Sequence, residues 1–329
     1  MSNTLYPLKF KPILKERIWG GTKLHNIMGK QFPNPAERYG ESWEISGVDG
    51  DVSVVQNGFL AGNTLNELIE VYMGDLVGES LYERFGEEFP LLIKLIDASE
   101  TLSIQVHPDD ETARERHHAY GKTEMWYIID AEKDALIYTG FENDIAREEY
   151  LRAVKEGKLE SYLHKEKAVP GDVFFIPAGR VHAIGKGVLL AEIQQTSDIT
   201  YRIFDWNRVD SSGKPRDLHT ELAADVIDFS KVRDPKLHPQ DEVNKTSELT
   251  SCDYFTVNRL TFTYAIQRDY NMLDSFVIYL CIEGECSVVY ESGHSERLSK
   301  GETILLPAEL KDIILRPQGK CTLLEIYVK

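Results

Sequence analysis

Two segments of the 329-residue chain repeat one pattern: GDVFFIPAGRVH from Gly171 to His182, and GETILLPAELKD from Gly301 to Asp312. Each opens with glycine and an acidic residue, runs on through strand formers, and reaches a Pro-Ala turn at the same spacing. The glycine leaves a turn, and the proline ends the strand because it has no N–H to give to a ladder. In the first copy Gly179 permits a tight turn and His182 opens the returning strand, which directs its imidazole inward. A unit of this kind met twice implies two copies of one β-fold.

Other short apolar runs bounded by Gly or Pro agree. Val188–Ile193, Phe276–Ile282, Ser287–Tyr290 and Thr322–Val328, with Val173–Ile176 and Thr303–Leu306 inside the repeats, predict antiparallel strands of a barrel or jelly roll. Helices are fewer. Thr64 to Glu67 is a capping-box pattern opening a helix with Leu65, Leu68, Ile69 and Tyr72 on one face. Asn143 or Asp144 is the expected cap of a second helix reaching Gly157. Between Asp210 and Thr250 the chain turns polar, which places a junction near 235–250 and divides the chain into residues 1–240 and 241–329.

A formal net charge of −17 sets the chain against nucleic-acid phosphates and anionic membranes as partners. A phosphorylated small substrate would need inward-facing cations to overcome that field. The first residues lack the apolar core of a signal peptide, and no window approaches the roughly 18 apolar residues of a membrane span. A cytoplasmic protein is expected. Cys252, Cys281, Cys286 and Cys321 show no CxxC spacing and read as reduced thiols.

The spacing G, five residues, P-x-G, two residues, H in the first repeat resembles the second motif of the cupin superfamily. The second repeat has Glu309 at the turn glycine and no histidine at the last position. The resemblance implies a mainly β chain of two cupin jelly-roll barrels with a few covering helices, only the first keeping a metal ligand there. One histidine cannot hold a metal. Gln105 and His107 share a strand face by period-2 alternation, and Lys122, Glu124 and Trp126 share another. Gln105, His107, Glu124 and His182 therefore form a four-ligand set suited to Zn²⁺, with Mn²⁺, Fe²⁺ or Co²⁺ as competitors. A hydrogen-bonding role in the pocket is the alternative for Gln105.

SIQVHPDD, GKTEMWYI, PAGRVHAI and EIQQTSDITYR, with WGG at 19–21, GESWEIS at 40–46 and FPLLIKLIDA at 89–98, resemble type I mannose-6-phosphate isomerase in its short bacterial form. The resemblance implies one Zn²⁺ per chain on Gln105, His107, Glu124 and His182. It also implies active-site cations Lys122 and Arg202, with Lys94 and Glu192 in or near the substrate pocket. The reaction it implies interconverts mannose 6-phosphate and fructose 6-phosphate through an enediol. The base stays open among Glu192, a neutral Lys122, a metal-bound hydroxide and a histidine. After Arg202 the chain reads IFDWNR where longer members carry a glycine-containing segment, and their long helical insertion is absent, so a more open pocket is expected.

Two other readings compete. A non-catalytic sugar-phosphate-binding cupin would not need Lys122 and Arg202 beside a complete ligand set. A metal-dependent oxygenase would favour a histidine-rich site over an amide and a carboxylate. His117 and His118 lie in the charged run DDETARERHHAYGK and read as solvated, and His25, His164, His219, His238 and His294 have similarly polar surroundings. A salt bridge to Asp198 or Asp205 is the plain alternative for Arg202. Lys94, inside LLIKLI, must find either a structural carboxylate or the substrate. Trp19, Trp43 and Trp126 line the pocket or pack in the core. Quaternary state, monomer or dimer, is left open.

Overall fold

Antiparallel pairing organises the strands. The structure, a computed structural model, describes residues 4–209, 213–240, 242–291 and 293–329. A seven-stranded sheet runs in the order Ile13–Gly21, Tyr39–Ile45, Leu91–Ala98, Val188–Gln195, Glu124–Ala131, Val173–Ile176 and Lys236–Leu237. A five-stranded sheet, ordered Tyr201–Phe204, Ile104–Val106, His182–Ile184, Leu136–Phe141 and Leu163–Lys167, packs over one of its faces. Trp126, Phe174, Ile184, Val188 and Leu190 fill the space between them.

Alternation explains why Leu91–Ala98 and Val188–Gln195 are buried along their whole lengths. Their even-numbered residues, among them Lys94, Ile96, Leu190 and Glu192, share the face that lines the jelly roll. Odd-numbered residues Leu91, Ile93, Leu95, Leu189, Ala191 and Ile193 join a second core with Val257, Ile278, Leu280, Leu324 and Ile326 from the other end of the chain. Strands covered on both faces read as continuous apolar runs, and a charged residue within one must face something built to receive it.

The C-terminal part is also a two-sheet jelly roll. Five strands run in the order Lys245–Ser251, Thr256–Phe262, Cys321–Tyr327, Val277–Glu283 and Thr303–Leu306, and four in the order Ile266–Asp269, Asp312–Pro317, Glu285–Tyr290 and His294–Ser299. Its interior holds a closed polar network in place of a ligand set. Glu325, fully buried, accepts from Arg268 at 2.7 Å, Asn258 at 2.8 Å and Tyr279 at 3.2 Å, and Tyr270 bonds to both Glu325 and Tyr279. Asp312, where the first repeat has His182, is exposed, and the preceding Lys311 donates to the Leu273 carbonyl at 2.6 Å. Both oxygens of the buried carboxylate thus have donors, in contrast to an open ligand set.

The capping box forms at Thr64 and Glu67 and opens the helix Leu65–Val77. The second helix is Arg147–Lys155, and its cap differs from the expected one. Ala146 occupies the capping position with no side-chain bond, while Asp144 Oδ1 accepts from the Lys231 N–H at 2.7 Å, 87 residues away. The charged run after His107 is the helix Asp110–His117, capped by Asp109. Within the polar stretch, Thr220–Val226 is helical and packs Ala223 and Ala224 into a core with Val106, Tyr150, Val181 and Tyr201.

Candidate metal centre and active site

The repeat places His182 as its chemistry requires. The strand Val173–Ile176 ends before Pro177, and the chain turns at Gly179, whose φ is +84° and whose missing Cβ would stand 2.9 Å from the Val226 carbonyl. Gly179 N–H donates to the His107 carbonyl at 2.9 Å, which ties the turn to the neighbouring histidine segment. His182 then pairs directly with Gln105, and Gln105 with Arg202 on its other side. His107 follows the strand and ends it, since Pro108 cannot continue a ladder and Asp109 starts the helix.

Both imidazoles are held from behind. His107 Nδ1 donates to the Ile199 carbonyl and His182 Nδ1 to the Arg180 carbonyl, each at 2.8 Å, so both Nε2 lone pairs point inward. Glu124 comes from the opposite sheet. Its Oε1 stands 3.2 Å from His107 Nε2, and its Oε2 stands 3.7 Å from His182 Nε2. One ligand atom from each of the three buried residues lies within 4.8 Å of the other two. Gln105 Nε2 is 3.3 Å from His182 Nε2, so the amide must turn its oxygen inward to join the set.

The residues present fit a divalent cation. His107 Nε2 and both Glu124 oxygens are buried and make no aligned hydrogen bond despite their short separations. Buried acceptors that converge on one point with no aligned donor among them are suited to a cation. Electrostatics agree. Burial pulls His107 down to about 3, helped by Lys122, and it lowers His182 as well, so both rings stay neutral. Burial pushes Glu124 up, but the Lys122 ammonium above all outweighs it and holds the carboxyl well below the usual range. Two neutral imidazoles and a carboxylate are a transition-metal donor set.

The cleft beside this centre has a volume of about 650 Å³. Across the inner face of the seven-stranded sheet, Trp43, Lys94, Glu192 and Trp126 stand in a row as direct cross-strand neighbours. Lys94 donates to Glu192 Oε1 at 2.9 Å and to Gln194 at 2.6 Å, while Trp126 Nε1 holds Glu192 Oε2 at 2.9 Å. Lys94 thus finds a carboxylate and still lines the cleft. Lys122 Nζ stands 3.0 Å from Glu124 Oε1. Burial lowers Lys122, but Glu124 and Glu192 outweigh it and raise its pKa, while burial and Glu124 push Glu192 up against the pull of Lys94.

At the other end of the cleft lies Arg202. Neither Asp198 nor Asp205 pairs with it. Nη1 donates to the Asp217 carbonyl at 3.0 Å, and Nε is buried with no partner. Asp205 instead receives Arg208 and, through Nε at 2.7 Å and Nη2 at 2.6 Å, Arg216. Lys15, Arg17, Lys94 and Lys122 each face a carboxylate. Among the described residues Arg202 is the cation lining the cleft that has none. Burial, then Arg216, lowers its pKa.

Sequence reasoning missed several lining groups. Glu41 accepts both prongs of Arg17 at 3.0 Å and the Trp43 indole at 2.8 Å. Its period-2 spacing from Trp43 was the available signal. Arg216 sits in the stretch read as polar junction and carried none. His219 lines the cleft as well and accepts from the Arg202 N–H at 3.2 Å, while His117 bonds to the Tyr201 hydroxyl at 2.7 Å. Trp19 and Trp43 line the cleft; Trp126 is fully buried, its ring edge-on to His182 at 5.3 Å.

Comparison with known proteins agrees with this geometry. Residues 7–145 match the family model for the phosphomannose isomerase type I catalytic domain, and residues 244–328 match that for the mannose-6-phosphate isomerase cupin domain. Mannose-6-phosphate isomerase ManA of Bacillus subtilis is 39% identical over 97% of this chain and 98% of its own. The mannose-6-phosphate isomerase of Streptococcus mutans is 36% identical over 93% of each. A crystal structure of the mannose 6-phosphate isomerase from Bacillus subtilis superposes with a TM-score of 0.89 at 36% identity, covering 98% of this chain and 100% of that one. The chain, with its two jelly rolls and its buried His-Glu-His cluster, belongs to the type I mannose-6-phosphate isomerase family.

Proposed function

We propose that this protein interconverts mannose 6-phosphate and fructose 6-phosphate, using one zinc ion per chain held by Gln105, His107, Glu124 and His182. The observation that carries the reading is a ligand set with unmatched buried acceptors beside a cleft that Gln105 and Lys122 line together with an arginine that, among the described residues, pairs with no carboxylate. Zinc is assigned over manganese, iron and cobalt because two imidazoles, a carboxylate and an amide form a compact four-ligand set.

The open-chain sugar must lose a proton from the carbon beside its carbonyl and regain it one carbon over, with negative charge growing on oxygen between the two steps. A divalent cation, when bound, supplies charge stabilisation for that oxygen. Lys122, kept protonated by Glu124 and Glu192, adds a donor at the same place. Glu192 is assigned the proton transfer. It lines the cleft, its pKa is raised toward the working range, and Lys94 and Trp126 fix its orientation. A neutral Lys122 is the weaker candidate for base, and the histidines commit both nitrogens elsewhere. Arg202 receives the phosphate, its fork geometry suited to two oxygens at once.

We divide the chain into a catalytic part, residues 1–240, and a metal-free cupin part, residues 241–329. In support, every named strand pairs within its own part, while the Leu8–Leu305 bridge crosses between them; residue 241 lies outside the described residues. The cytoplasm is the compartment we assign, supported by four free thiols and a phosphorylated substrate. No helix among the described residues is long and apolar enough to cross a membrane.

Glu192→Gln keeps the volume and removes the proton acceptor. We expect kcat to fall about a thousandfold, exchange of the substrate C2 proton with solvent to be lost, and metal content to stay unchanged. Activity within tenfold of the parent would move the base elsewhere.

A further inference from the structure

We propose that Tyr254, on the turn joining the first two strands of the C-terminal jelly roll, is a positioning residue for the isomerase centre in the other jelly roll. The proposal rests on the assignment of Lys122 and Glu124 above. Its node is Asp110. Asp110 Oδ2 accepts from the Tyr254 hydroxyl at 3.0 Å, across 144 residues of sequence. Asp110 Oδ1 accepts from the Gly121 N–H and from Gln195 Nε2, both at 2.9 Å.

Those two donors lead directly into the site. Gln195 Oε1 accepts from the Thr123 N–H at 2.9 Å, and Gln195 N–H donates to the Thr123 carbonyl at 3.3 Å. Thr123 Oγ1 in turn accepts from the Ala178 N–H at 3.3 Å, inside the turn that presents His182. Lys122 N–H is held by the Pro108 carbonyl at 3.0 Å, beside His107. Residues 121–123 are therefore bonded to the histidine turn and to Gln195, and through Asp110 to the second jelly roll. They set the direction in which Lys122 and Glu124 leave the backbone.

Tyr254 is itself anchored. Its ring packs against the core shared by both jelly rolls, and the Cys252 N–H closes its turn on the Phe255 carbonyl at 3.0 Å. Burial and Asp110 push the phenol up to about 12, so it remains a donor across the working range. With that donor present, both Asp110 oxygens are occupied and the carboxylate has one orientation. Without it, Oδ2 is unheld and the 121–123 segment gains freedom. Displacements of about 1 Å in groups that orient a reacting substrate cost up to a hundredfold in rate, and loss of an outer partner of a metal ligand costs about ten- to a hundredfold. Tyr254 stands further out, so a smaller effect is expected.

The test compares the full-length parent, Tyr254→Phe, and a control, Tyr264→Phe, which alters a tyrosine 60% exposed in the same jelly roll. Each is loaded with Co²⁺, and visible absorption, Co²⁺ affinity, kcat, KM and thermal midpoint are recorded. For Tyr254→Phe we expect kcat to fall about five- to tenfold with KM within about twofold, Co²⁺ bound more weakly, and the absorption bands altered. Tyr264→Phe should match the parent. Asp110→Asn added to Tyr254→Phe should cost less than the sum of the two single changes. An unchanged kcat and Co²⁺ spectrum, even with a lower midpoint, would make Tyr254 a structural contact and overturn the proposal. If the loaded parent does not isomerise mannose 6-phosphate, the functional reading fails, and the Co²⁺ affinity and spectrum alone decide the role of Tyr254.

Discussion

Replacing Glu124 with glutamine is expected to lower kcat/KM for mannose 6-phosphate by at least about a thousandfold, some 4 kcal/mol of transition-state stabilisation, and to leave the purified protein largely free of metal. Glutamine keeps the volume of the side chain, so the packing beside Trp126 and His182 survives. What disappears is the negative charge that His107, His182 and Lys122 share. The consequence for Lys122 has its own sign. With Glu124 present the carboxylates outweigh burial and raise its pKa; without it, Glu192 is left to oppose burial and the Lys122 pKa falls from that raised position. In the metal-free parent the pair has a pH signature too. The Glu124 carboxyl is held below its ordinary 4.5, so its contribution to stability is present above that pH and lost as the pH falls through the folded value. Metal analysis, steady-state kinetics and denaturant unfolding at two pH values check these points. A fully metallated Glu124→Gln variant with parental kcat would remove Glu124 from the ligand set.

Arg202→Ala is expected to lower kcat/KM by about a hundredfold, the size of one or two charge-assisted hydrogen bonds, with a rise in KM carrying much of the change. Its effect on stability should be small. Among the described residues Arg202 forms no ion pair whose other member would be stranded, and the Asp217 carbonyl it releases is at an exposed contact. Inhibition by inorganic phosphate should weaken in parallel. Lysine at this position should restore little, because a single ammonium cannot match a fork. A variant whose KM and phosphate inhibition match the parent would show that the phosphate sits elsewhere in the cleft.

How much of this was legible in the sequence follows from how local each signal is. The turn from Gly171 to His182 encodes its own geometry, and period-2 spacing placed Gln105 with His107 and Lys122 with Glu124. Distant pairings had no such signal. Asp144 looked like a helix cap, but the Lys231 N–H claims it from 87 residues away. Arg216 lay in a polar stretch with too few apolar residues to suggest that its neighbours pack on the first jelly roll. Lys94 was readable as a lysine in need of an anion, yet only the register that sets it opposite Glu192 says which one. Nor did the second repeat reveal its purpose, because what it contributes is the outer cover of the seven-stranded sheet and one hydroxyl on Asp110.

The central claim is most directly tested by a coupled assay for fructose 6-phosphate formed from mannose 6-phosphate, run on the protein as purified, after chelation, and after Zn²⁺ is restored. The account predicts activity that disappears with chelation and returns with zinc. Metal-loaded protein that binds the sugar phosphate and never interconverts it would contradict the account and make this chain a binding cupin.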